Sequence, residues 1–84
     1  MELDELRMTI RQKLANRTLP RDKCQVTWFG PGTGQPCAVC ARVIGRQEIE
    51  CECEQSTTDV WRFHQSCFAV WDDERQDTAG ALIP

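Results

Sequence analysis

"FHQSCF", residues 63–68, decides how this chain is read, because it sets its only histidine, His64, three residues ahead of Cys67. Earlier, "CAVC" at residues 37–40 places Cys37 and Cys40 in a C-x-x-C pair. Two cysteines so spaced can turn both sulfurs toward one ion, since a tight knuckle brings the side chains and the loop amides inward. A histidine and a cysteine three apart in the first turn of a helix lie on one face. The four groups together make the mixed sulfur and nitrogen set that zinc accepts, at about 2.3 Å and about 2.0–2.1 Å. Four protein ligands leave no position for a substrate water, so the expected centre is structural. The competing reading is a helix-capping or packed His64 beside a buried Cys67 acting as a small hydrophobe. It accounts for either pair poorly and for both together worse.

A chain of 84 residues with 40% apolar composition is one small domain whose core alone gives thin stability, so a staple is expected. Six cysteines could supply it as disulfides or as metal thiolates, depending on compartment. The opening "MELDELRMTIRQKLANR" is charged throughout and holds no apolar run long enough for a signal-peptide core or a membrane span. No export route is legible, a cytoplasmic location is expected, and that compartment favours metal over disulfide.

Charge is unevenly spread. Residues 1–30 carry six basic and four acidic side chains, whereas residues 31–84 carry four basic and nine acidic ones. A mildly basic front on an acidic body does not describe a general nucleic-acid binder.

Along the chain, Leu3, Leu6, Ile10 and Leu14 recur at spacings of three and four, which predicts an amphipathic helix over 3–17. Glu2, Asp4 and Glu5 suit its dipole, and Pro20 ends any continuation. "CQVTWF", residues 24–29, reads as a short strand. "GPGTGQP", residues 30–36, is a loop rather than a phosphate cradle, because it lacks a Gly-Lys-Ser/Thr ending and leads into a cysteine pair instead of a helix. A hairpin is expected next, with Val43 and Ile44 on one arm, a turn at Gly45 to Gln47, and a return strand over 48–54. That return strand puts Ile49, Cys51 and Cys53 on one face and Glu48, Glu50, Glu52 and Glu54 on the other. Val60 to Phe63 is a short apolar run, residues 64–76 are helical, and 77–84 form a flexible tail. The chain divides into an N-terminal helix (1–22), a strand and Gly/Pro loop (23–36), a zinc-binding module (37–76) and that tail, all one domain.

Cys51 and Cys53 share the inward face with Ile49 and read as core packing, although a C-x-C pair could also replace His64 or hold a second ion. Cys24 has no paired spacing and reads as a spare thiol. A catalytic Cys–His pair finds no orienting acid or oxyanion hole in the sequence.

The order C-x-x-C knuckle, β-hairpin, then a helix carrying the last ligands resembles the treble-clef zinc fingers. More narrowly it is similar to the first zinc module of a LIM domain, with its aromatic-His-x-x-Cys-Phe step. The matching residues are Cys37, Cys40, Phe63, His64, Cys67 and Phe68, within residues 36–76. The resemblance implies one zinc ion on Cys37, Cys40, His64 and Cys67, in a small α+β domain with an added N-terminal amphipathic helix. It departs from the LIM pattern in having no cysteine after Cys67, and in carrying Ala41 where treble-clef knuckles often have glycine.

The expected function is a small zinc-binding, non-catalytic interaction module, binding another protein in a regulatory role. Its contact surface could be the N-terminal stripe, or the tail with Leu82 and Ile83. One alternative is a nucleic-acid-binding finger using Arg7, Arg11, Lys13, Arg17, Arg21 and Lys23, with Trp28 or Trp61 to stack on bases. Another is a redox sensor in which cysteine oxidation releases zinc.

Overall fold

The computed structural model describes residues 2–56 and 59–80. Helix α1 (Leu3–Ala15) leads to three strands, β1 (Val26–Pro31), β2 (Ile49–Glu54) and β3 (Val60–His64), and then to helix α2 (Gln65–Gly80). The strands form one antiparallel sheet in the order β1-β2-β3. This is a small α+β fold, and among the described residues no helix is long and apolar enough to cross a membrane.

Helix α1 forms where the apolar spacing predicts it, but its stripe is one residue narrower. Leu6, Ile10 and Leu14 are buried, while Leu3 remains exposed at the first turn. The stripe packs against α2. On α2, Cys67, Trp71 and Glu74 follow at spacings of four and three and are all buried, so one face of that helix meets the core from Cys67 to Glu74. Trp71 lies at its middle, stacked on Phe63 with ring centroids 5.0 Å apart and donating its indole N–H to the Pro20 carbonyl at 3.0 Å. Burying a side chain of this kind is worth roughly 1.5–3 kcal/mol. Beyond Trp71 the helix face turns polar but stays buried. Arg7 reaches Glu74 at 2.7 Å and Arg11 reaches it at 2.8 Å, which closes the α1–α2 joint with a carboxylate that is 1% exposed.

The sheet corrects the expected hairpin. Val43 and Ile44 are not its first arm: Val43 makes a single bridge to Pro36, and β2 pairs instead with β1 and β3. The expected turn does form, with the Glu48 amide donating to the Gly45 carbonyl at 3.0 Å. The physical reason lies in the Gly/Pro loop, which takes up the hydrogen-bonding groups of Ile44: its amide donates to Gln35 O at 2.9 Å and its carbonyl accepts from Gly34 at 3.0 Å. Gly32 allows this close approach, since a Cβ there would stand 2.0 Å from the Gly45 carbonyl oxygen. Gly34 supplies the loop's left-handed turn, at φ +84.

The alternation expected for the return strand holds only in the second half of β2, with Cys51 and Cys53 fully buried on the inner face and Glu52 and Glu54 half-buried on the outer one. Ile49, expected inward, is exposed at the strand's start, and Glu50 is buried beneath the Thr33 loop. Cys24 is not a spare thiol. It is joined to Cys53 by a disulfide across a 29-residue separation, with the Cα atoms 5.3 Å apart. The cause is a turn of the chain just before β1, where the Gln25 amide donates to Glu54 O at 2.8 Å and brings Cys24 back over the inner face of β2. The expected tail falls partly within α2, which runs to Gly80, while Leu82 and Ile83 lie outside the described residues.

Candidate metal centre

Three pieces of chain deliver four ligands to one corner. The knuckle at residues 37–40 brings Cys37 and Cys40, the last residue of β3 brings His64, and the first turn of α2 brings Cys67. His64 is therefore not in a helical turn with Cys67, as the sequence suggested; the strand ends at it and the helix begins one residue later. The two side chains still converge, because the strand-to-helix junction turns the chain between them. Every ligand atom of the four lies within 4.8 Å of every other.

A tetrahedral ion with bonds of about 2.0–2.3 Å sets its ligand atoms about 3.5–3.8 Å apart. Cys40 Sγ stands 3.4 Å from His64 Nδ1, so this edge already has close to the required length. Three soft sulfurs and one imidazole nitrogen also suit a borderline-soft ion such as zinc. The residues present fit a metal ion, and the cluster could hold one.

The surroundings prepare the donors. The His64 backbone amide donates to Cys37 Sγ at 3.4 Å, and the Ala41 amide donates to the Cys37 carbonyl at 2.9 Å, closing the knuckle. Ala41 makes that turn with φ at 64, the left-handed conformation that explains why glycine suits this position. Lys13 reaches across from α1, its ammonium donating to the carbonyls of Ala38 at 3.1 Å and Val39 at 2.5 Å. His64 Nε2 lies 3.3 Å from Glu48 Oε2, which leaves Nδ1 for the cluster and gives the ring the carboxylate partner that metal-bound imidazoles use. Glu48 is fixed in turn by the Gly45 amide at 2.8 Å; that bond, with His64 and Arg42 adding to it, holds its carboxyl below the usual range.

The thiols are unequal. Cys37 is lowered to about 4, first by the hydrogen bond from Cys67 and then by backbone amides that overcome its burial. Cys67, holding the shared proton, is pushed up. Cys51 is pushed up to about 11 by burial, with the negative charges of Cys37 and Glu50 adding to it, and stays a packed thiol. With Cys53 in the disulfide, neither member of the C-x-C pair joins the cluster. A cavity of about 190 Å³ opens beside Cys40 and His64, walled by Leu6 and Val43.

Three residues of this corner were not foreseen as part of it. Lys13 belonged to a basic strip, and Glu48 to a solvated acidic row. Glu50 belonged to the same row, yet it is buried, and its Oε1 accepts from the Thr33 hydroxyl at 2.8 Å and the Thr33 amide at 3.2 Å.

Searches against known protein families, curated proteins and solved structures return no match for this chain.

Proposed function

We propose that this protein is a zinc-stabilised, non-catalytic interaction module of treble-clef type, binding another protein in a regulatory role. The observation that carries this reading is the convergence of Cys37, Cys40, His64 and Cys67, with all ligand atoms within 4.8 Å. Such a set fills a tetrahedron, so the ion would serve the fold and leave no position for substrate. The knuckle, the β2–β3 hairpin and the helix carrying Cys67 follow one another in the order that the LIM-like resemblance implies.

Three of the six basic side chains of the N-terminal strip make contacts within the chain, while Arg17, Arg21 and Lys23 are exposed. Of the strip read from the sequence, Arg7 is engaged by Asp73 and Glu74, Arg11 by Glu74, and Lys13 by the knuckle carbonyls.

Native mass spectrometry of the wild type and of His64→Ala tests the centre. One zinc per chain is expected in the wild type, with weakened or lost binding in the variant. A wild type free of metal after careful preparation, or a variant that holds zinc as tightly, would overturn the assignment.

A further inference from the structure

The two edges of the sheet differ. On the β3 side the knuckle is docked, with the Ala38 amide donating to Arg62 O at 2.8 Å. On the other side β1 is laddered to β2 alone, and it meets α2 only on the inner face, where Phe29 reaches Phe68. Its ladder partners fix which backbone groups remain open. The pairs Val26–Glu54, Trp28–Glu52 and Gly30–Glu50 continue in phase to Gly32, whose amide donates to Glu48 O at 2.9 Å. Residues of that phase turn their N–H and C=O groups toward β2, so Thr27 and Phe29 between them present theirs to the free edge. The strand "VTWFGP" has no charged residue, and its only guard against edge pairing is Pro31 at the end. Trp28 and Phe29 are each 58% exposed.

The faces beside this edge have distinct chemistry. On the outer face Trp28 neighbours Glu52 across the strands, and its indole N–H is held by Glu54. Glu50, Glu52 and Glu54 face a single cation of the sheet, Arg62, which pairs with Glu52 at 3.0 Å and approaches Glu50 at 3.5 Å. Negative charge is in excess there. On the inner face Phe29 stands edge-on to Phe68 with centroids 6.0 Å apart.

We propose that β1 is the docking edge for an extended segment of a partner protein in which basic residues alternate with aliphatic ones. This rests on the interaction-module reading and names the partner's chemistry. The added strand exchanges backbone hydrogen bonds with Thr27 and Phe29. Its basic residues lie over the Trp28 indole and extend across it toward Glu52 and Glu54 on β2, two strand spacings or about 9.6 Å away, a gap that a long cationic side chain and a glutamate span together. Its aliphatic residues meet the open flank of Phe29. A second copy of this chain is the poorer occupant: its β1 offers no cation, and each chain carries a net charge of −3.

The test uses the zinc-loaded chain, labelled with ¹⁵N and titrated with a heptapeptide alternating lysine and valine, then with its glutamate–valine counterpart. Amide exchange at Thr27 and Phe29 should slow with the lysine peptide alone. Added salt should weaken that binding, and a Glu52→Gln/Glu54→Gln variant that retains its zinc should bind several-fold more weakly. Equal response to both peptides, no response at those two amides, or protection of them already in the free chain by a second copy or its own tail would each overturn the proposal. Zinc is measured on the same samples. A chain without metal removes the interaction-module reading itself, whereas a zinc-bound chain that ignores the lysine peptide removes only this inference.

Discussion

The sheet is fastened at both ends, and the two fastenings are of different kinds. At the end where Glu50 pairs with His64, Cys37, Cys40, His64 and Cys67 draw the knuckle, β3 and α2 to one point. At the other end Cys53 pairs with Trp61 and Thr27, and the disulfide to Cys24 ties the approach to β1 onto β2. The first, with an ion bound as proposed, would organise segments that also touch through Ala38 and Arg62 and through Phe63 and Trp71. The second joins a loop to a strand already held by its ladder. A cross-link acts chiefly on the unfolded chain, whereas a metal centre supplies folding free energy outright.

Cys37→Ser or Cys67→Ser should therefore have the largest effect. Structural zinc in small domains contributes about 10 kcal/mol or more, which exceeds what a core of this size can replace. Either variant should lose zinc together with the hairpin and helix signals in circular dichroism. A variant keeping both would show that the metal end does not organise the fold.

Cys24→Ser should cost less, about 3–4 kcal/mol from the chain-entropy relation for its 29-residue separation, and should leave zinc in place. Urea unfolding with metal analysis checks both halves of that statement. Loss of zinc in this variant would erase the contrast between the ends.

Third comes the α1–α2 joint, which lies at neither fastening. Arg11, with Arg7 adding to it, holds the Glu74 carboxyl below the usual range. A depressed carboxyl contributes stability that is present above its unfolded value, about 4.3, and is lost as pH falls through its folded value. The Arg7→Ala/Arg11→Ala double variant should lower stability at neutral pH, by less than breaking a fully buried pair because much of the guanidinium charge is wet. The difference from wild type should shrink on acidification below that window. A gap unchanged with pH would mean that packing, not charge, holds the joint.

The smallest effect should be a gain. Ala41→Gly relieves the left-handed residue of the knuckle, at φ 64, and should add about 0.5–1 kcal/mol without changing zinc content. A loss of stability in thermal unfolding would mean that the Ala41 methyl packs to advantage.

How much of this was legible in the sequence depends on whether a feature was local. The apolar spacing of Leu6, Ile10 and Leu14 placed α1, the alternation of "IECECE" placed β2, and the two ligand pairs placed the cluster, since each depends on residues close in the chain. Features that depend on register across long separations were not legible. Cys24 carries no local mark of its partner, because only the turn before β1 brings it to Cys53. Glu48 and Glu50 look like members of one solvated row with Glu52 and Glu54, and only the position of His64 and of the Thr33 loop gives them separate tasks. Gly32 reads as loop punctuation, whereas its role is to let two backbones touch. The paired cysteines favoured metal over disulfide, and the fold contains a disulfide and a cluster that could hold metal.

X-ray absorption at the zinc edge of the loaded wild type tests the central claim most directly. The account predicts three sulfur scatterers at about 2.3 Å and one nitrogen at about 2.0 Å. Four sulfurs would put Cys51 or an opened Cys53 in place of His64, and a light-atom shell with fewer sulfurs would mean that the Cys37–Cys40–His64–Cys67 corner does not close around the ion.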